Sequence, residues 1–210
     1  MKKSYILTLS LLSFFFFSCE KAIVTKYATD FISTDNNPVQ IELYDEKTIT
    51  ISNDSGEFSL TPLAEYTISA RVMSTEHYSR KWTSSLSPVD LALAWGELAT
   101  VKMDDYISYK QRNRWYFYKY KPDCPVDNNY IISHSSNNHI IPSSHNLSVA
   151  LKNIKKHDTV KITGLLVKVS GMADGQKVSW GTSTTRNDTG DRSCELIYAK
   201  EIRINDKVYN

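Results

Sequence analysis

The chain lacks an excess of charge of either sign: 25 Lys and Arg stand against 23 Asp and Glu, a formal net charge of +2 over 210 residues. With no basic tail or block either, there is neither a global nor a local field to draw it to nucleic acid, and nucleic acid is not expected as a partner. The chain also lacks an apolar run of membrane-spanning length. Its longest, residues 4–17, covers about fourteen residues, against the roughly twenty needed to cross a bilayer. No Gly-rich stretch among the 7 glycines leads into a helix with a following Lys, which excludes a phosphate-cradling loop; Ser55-Gly56 and Gly164 read as turn and bulge residues instead. Internal repeats are absent. Only three cysteines occur, Cys19, Cys124 and Cys194. An oxidising compartment permits a bridge between the last two, but sequence alone does not show whether their Cα atoms approach within bonding range.

What the N-terminus does have is informative. Lys2 and Lys3 precede the apolar stretch Ile6 to Phe17, and Phe16-Phe17-Ser18-Cys19 closes it with a small residue before a cysteine. This is the layout of a secretory signal, and its ending resembles the lipobox of bacterial lipoproteins. The resemblance implies that residues 1–18 are removed as a signal peptide and that Cys19 becomes the lipidated first residue. The mature chain would have 192 residues with 23 basic and 23 acidic side chains. Glu20 follows the cysteine where Asp would direct inner-membrane retention, so the resemblance points to a lipid-anchored protein of the cell envelope, at the outer membrane.

Residues 19–38 are polar and turn-rich and read as a lipid-anchored tether. Val39 to Leu43 and Ile49 to Ile51 alternate apolar and polar, predicting a β extension over 39–56, with a turn at Asn53-Asp54-Ser55-Gly56. The main domain is expected over 57–210. Tyr66, Ile68, Ala70 and Val72 fall at period two and predict a long strand. Residues 88–99 read as a helical or irregular insert, with Asp90 as cap and Leu91, Leu93 and Ala94 as an apolar stripe. Arg114 to Tyr120 is a predicted strand with Trp115 and Phe117 on one face and Tyr116, Tyr118 and Tyr120 on the other. Tyr130 to Ile132 and Ile140-Ile141 are predicted strand pieces separated by the polar run 134–139. Leu147, Ala150, Leu151 and Ile154 predict a helix over 146–156 capped by Asn146. Val160 and Ile162, then Leu165, Val167 and Val169, switch parity at Gly164, which predicts a bend. A last strand runs from Cys194 to Ile204. A helix between the third and fourth of five strands is the order of the oligonucleotide/oligosaccharide-binding (OB) barrel, and the run Lys156 to Val167 resembles its fourth strand. The expected fold is mainly β: a curved, OB-like five-stranded barrel with one short helix.

The segments Ser87 to Gly96, Asn113 to Tyr116, Asn138 to Pro142, and Trp180 through Arg186, Asp188, Thr189, Gly190 and Cys194-Glu195 resemble a family of uncharacterised exported bacterial proteins, with a mild departure at Thr182 and Ser183. The resemblance spans about two thirds of the chain and transfers no activity.

The candidate sites therefore rest on the residues. His139 and Cys194 form a candidate nucleophilic pair, since an imidazole lowers a thiol pKa; Arg186 would steady an oxyanion and Asp188 would orient the histidine. That order is similar to envelope transpeptidases, but their local cysteine strings are missing. Cys194 also shares parity with Leu196 and Tyr198, where a buried thiol is the ordinary outcome. The competing reading is a binding loop in which Asn138, His139, Trp180, Arg186 and Asp188 hold an anionic or carbonyl group. His134, His139, His145 and His157 are spaced five, six and twelve apart, unlike the close ligand pairs of zinc sites; no metal and no cofactor is expected. The sequence thus favours a non-catalytic envelope lipoprotein that binds a small molecule or an envelope protein. The rival is a Cys194/His139 acyl-transfer or hydrolytic enzyme on cell-envelope material. Lipidation makes a direct prediction: Cys19→Ala should shift the protein from the membrane to the soluble fraction, and unchanged partitioning would contradict it.

Overall fold

Two strands with long apolar alternations organise the molecule. The structure, a computed structural model, describes residues 20–185 and 194–210. The signal segment, Cys19, Arg186 and Asp188 lie outside those residues. In chain order, β1 (Lys26–Tyr27), β2 (Val39–Glu42) and β3 (Ile49–Asn53) precede β4 (Gly56–His77), a strand of 22 residues. Then come α1 (Trp82–Leu86), β5 (Val89–Ala94), two 3-10 turns (Gly96–Ala99 and Val101–Asp105), β6 (Ile107–Arg112) and β7 (Trp115–Tyr120). The remainder is α2 (Asn128–Ser133), β8 (Ser135–Pro142), α3 (His145–Lys152), β9 (Thr159–Ala173), β10 (Gln176–Trp180), β11 (Glu195–Ile204) and β12 (Lys207–Tyr209).

The fold is mainly β, and five of the strands pair in a ring, β4-β5-β8-β11-β9 and back to β4. Every joint is antiparallel except β8–β11, which is parallel. The strands β2, β3, β10, β12 and β1 extend this sheet, while β6 and β7 form a separate hairpin. Ile68, Leu91, Ile140, Ile162 and Ile197, one from each ring strand, share a core with Leu147, Leu151 and Ile154 of the α3 segment. A second core joins Phe58, Leu60, Val167, Val169 and Leu196. A third packs Met73, Ala94, Leu98, Met103 and Ile107 under the hairpin.

The parity change expected at Gly164 has a different origin. β9 itself runs on through Gly164, and the extra residues lie in its partners, between Pro62 and Ala64 of β4 and, opposite Gly164 and Thr163, between Ala199 and Glu201 of β11. Val160, Ile162 and Leu166 face the ring core, while Leu165, Val167 and Val169 face the second core. What switches is the number of buried faces. Glycine is needed at 164 because a Cβ there would lie 2.1 Å from the Tyr198 carbonyl oxygen.

Four further expectations change. Residues 88–99 hold a strand, β5, followed by a 3-10 turn. All six β5 residues are buried, with Val89, Leu91 and Leu93 facing the ring core and Ala94 the third core, and two-sided burial produces a run that mimics a helical stripe. The second ring strand is thus β5, and 114–120 belongs to the hairpin. Tyr130 to Ile132 is helical: the Asp127 carboxylate accepts from the Tyr130 amide at 2.8 Å and caps α2. The polar run 134–139 lies largely in β8, paired by β5 over 135–139 and by β11 at Asn138 and His139. α3 is capped by Ser144, whose hydroxyl accepts from the Leu147 amide at 3.1 Å. Asn146 instead holds the N-terminal segment, bonding the Ile23 amide at 2.7 Å and the Ile23 carbonyl at 3.0 Å.

Residues 20–38, read as a tether, lie along the body. The Thr25 amide donates to the Val208 carbonyl at 2.9 Å and the Gly96 amide to the Thr34 carbonyl at 2.7 Å. The Trp95 indole donates to Asn37 at 2.8 Å. Among the described residues no helix is long and apolar enough to cross a membrane. The tight β9–β11 approach predicts that Gly164→Ala costs about 1–3 kcal/mol, the usual penalty of overpacking, in urea denaturation; unaltered stability would contradict that contact.

Candidate functional site

The site is built around one carboxylate. Asp90, the second residue of β5, points away from the ring core and is fully buried. Its register partner in β8 is His139, and directly opposed residues of an antiparallel pair project from the same face. The His139 Nδ1 lies 2.9 Å from Asp90 Oδ1. A third group arrives from the β6–β7 turn, where Asn113 and Arg114 both have positive φ, 55° and 70°. This is the two-residue hairpin connection whose twist matches its strands. Arg114 places Nη1 2.6 Å from Asp90 Oδ1, while Nη2 donates to the Ser87 carbonyl at 2.9 Å.

A positive φ is uncommon for a residue with a side chain, and here every part of Arg114 is tied down. Its amide donates to the Tyr78 hydroxyl at 2.9 Å, and its carbonyl accepts from the Asn137 amide nitrogen at the same distance. Its guanidinium stacks 3.8 Å from the Tyr78 ring centroid and 5.3 Å from that of Trp180. Burial, the largest influence, pushes the Tyr78 phenol up to about 12. Two tyrosines on the hairpin's inner side are raised by the same cause, Tyr116 to about 12, and Tyr109 likewise upward. All three therefore stay protonated at neutral pH.

Trp180, at the end of β10, completes an aromatic chain. It lies 4.8 Å from the His139 ring and meets Trp82 edge-on at 6.0 Å, and Trp82 stacks on Phe58 at 5.5 Å. Arg114, His139 and Trp180 form one wall of a cavity of about 750 Å³, whose other described lining includes Trp115, Lys168, Ser170, Ser179, Thr182 and Cys194. Cys194 immediately precedes β11. Its sulfur lies 3.7 Å from the Asn137 amide nitrogen and 4.0 Å from the Arg114 carbonyl oxygen. It is not disulfide-bonded to Cys124, which packs against the third core.

Of the residues singled out from the sequence, His139, Trp180 and Cys194 meet at this cavity. Asn138 projects from the opposite face of β8, where its amide nitrogen donates to the Ser136 hydroxyl at 3.0 Å and to the Leu91 carbonyl at 3.3 Å. Arg186 and Asp188 lie outside the described residues. Asp90, Arg114, Trp115 and Lys168 were not singled out as site residues. A lone carboxylate inside the apolar run 89–95, and an Asn-Arg pair between two aromatic-rich strands, were the available signals. The histidines disperse: His134 stacks on Tyr130 at 3.8 Å, His145 reaches Glu20 at 2.7 Å, and His157 lies 3.6 Å from Asp104. Among the described residues no group of three His, Cys, Asp or Glu side chains is placed to hold a metal ion.

Compared with protein-family models, curated proteins and solved structures, the chain matches none.

A buried carboxylate stripped of its main partner is strongly destabilising. Arg114→Ala should cost about 3–5 kcal/mol in urea denaturation, and adding Asp90→Asn should recover part of it. A cost below about 1 kcal/mol would show that Arg114 does not compensate Asp90.

Proposed function

We propose that this is an exported, lipid-anchored protein of the cell envelope whose ring of strands is an OB-like five-stranded barrel, and that it binds a small polar ligand in the cavity beside Trp180. The order β4, β5, β8, α3, β9, β11 supports the barrel reading, because the helix falls between the third and fourth ring strands. The observation that carries the binding reading is the wall that Arg114, His139 and Trp180 give the cavity. Arg114 Nη1 lies 2.6 Å and His139 Nδ1 2.9 Å from the same buried oxygen, Asp90 Oδ1, so these two side chains make a fixed surface beside Trp180. The hydroxyls of Ser170 and Ser179 and the amine of Lys168 are groups the lining offers to a ligand. A concave apolar wall with a few convergent polar groups is the usual form of a small-molecule site.

One observation favours the rival class. The buried Asp90 carboxylate lies 2.9 Å from His139 Nδ1, and Cys194 lines the same cavity, which brings together the residue types of a thiol hydrolase's orienter, base and nucleophile. On the other side, the sulfur's contacts to Asn137 and the Arg114 carbonyl suit a structural thiol.

One experiment separates them. The full-length protein is incubated with soluble fragments of enzymatically digested cell wall, and both its thermal stability and the fragment masses are followed. Binding predicts a raised melting temperature in the wild type, lost in Trp180→Ala, with fragment masses unchanged. No stabilisation, or equal stabilisation of the variant, overturns the cavity reading. Mass changes abolished by Cys194→Ser would establish the enzyme.

A further inference from the structure

The hairpin that delivers Arg114 has a second face. The β6–β7 register opposes Arg112 to Trp115, Lys110 to Phe117 and Ser108 to Lys119. Opposed side chains share a face, and all six are exposed. The other face of the hairpin is fastened to β8: Gln111 donates to Asn137 at 2.7 Å, and the Tyr116 hydroxyl donates to the Ser135 carbonyl at 3.3 Å. The outer face is therefore a supported strip. It bears three cations and two aromatic rings and no carboxylate, with successive pairs about 7 Å apart along the strands.

We propose that this strip binds an acidic polysaccharide, a linear sugar chain carrying carboxylates. Trp115 and Phe117 are 37% and 50% exposed, so their rings lie half-sunk and offer flat apolar surface to the C–H faces of sugars. The Lys110, Arg112 and Lys119 side chains supply charge-assisted hydrogen bonds to carboxylates beside those rings. Of the six strip residues, Trp115 alone also lies on the rim of the 750 Å³ cavity. Membrane-surface elements bury a continuous apolar face about 5–10 Å deep, whereas here each ring stands opposite a cation across the hairpin. The strip is independent of what the cavity binds, because Lys110, Arg112, Phe117 and Lys119 do not line it.

The test is titration of the full-length protein, in detergent, with polygalacturonate and with neutral dextran. The wild type should bind polygalacturonate and not dextran. Raising salt from about 50 to about 300 mM should weaken the complex, as expected for exposed charges. The triple variant Lys110→Ser/Arg112→Ser/Lys119→Ser should bind at least about tenfold more weakly and lose most of the salt dependence. Circular dichroism would verify its fold, and Lys110→Gln/Lys119→Gln, which leaves the turn intact, should reproduce the direction of the effect. Trp180→Ala should bind polygalacturonate as the wild type does, even if it loses the cavity's ligand. The proposal is overturned if the wild type fails to bind polygalacturonate or binds dextran equally, or if the charge variants bind undiminished. It is also overturned if Trp180→Ala abolishes binding, which would move the site into the cavity. Tighter binding of oligo-dT, or displacement of polygalacturonate by micelles doped with phosphatidylglycerol, would overturn it in favour of nucleic acid or membrane.

Discussion

A carboxylate removed wholly from water is the constraint to which the rest of the site answers. Desolvating such a charge costs several kcal/mol unless a partner is held in good geometry, and Asp90 has no exposed surface. Its strand neighbour His139 comes within reach through pairing alone. Arg114 does not. It is 24 residues away, and bringing it back requires a hairpin of matched length, a turn with two positive φ values, and a platform on which that hairpin can lie. Each is present, and each shapes the cavity wall.

The stretch between β5 and β8 is fastened to the ring at two places by the same chemistry. At its start, Arg71 of β4 makes paired hydrogen bonds to Asp104 at 2.8 and 2.7 Å, and these hold the Asp104 carboxyl below the ordinary range. At the hairpin tip the polarity reverses, with the arginine on the inserted segment and the carboxylate on the ring. Arginine suits both joints because its planar fork meets a carboxylate and a second acceptor at once. Between the joints, Met103, Ile107 and Ile131 pack against Met73 and Ala94. The hairpin is thereby an extension of the ring's surface, with one face committed to β8 and the other left to solvent.

The same geometry explains what was readable in advance and what was not. The alternation of β4, the two alternating halves of β9 and the stripe Leu147, Ala150, Leu151 survive as elements because each buries a pattern of one clear local period. β5 was misread because burial on both faces erases periodicity. The polar residues of β8 resembled a loop for a related reason: Ser135, Asn137 and His139 are polar because the hairpin and Asp90 meet them, and that reason lies elsewhere in the chain. His139, Trp180 and Cys194 could be picked out as chemically capable residues. Their common cavity, and its dependence on Asp90 and Arg114, could not.

By itself, then, the sequence determined local matters: a mainly β chain, the positions of its strongest turns and one amphipathic helix. Tertiary structure alone decided which strands close the ring, that Asn138 and His139 face opposite ways with different company, and that Asp90, Arg114 and His139 become neighbours. The reason is that periodicity records whether a side chain is covered and on which side, since that depends on backbone geometry within a few residues. What does the covering depends on pairing across long separations, and no local repeat carries that information.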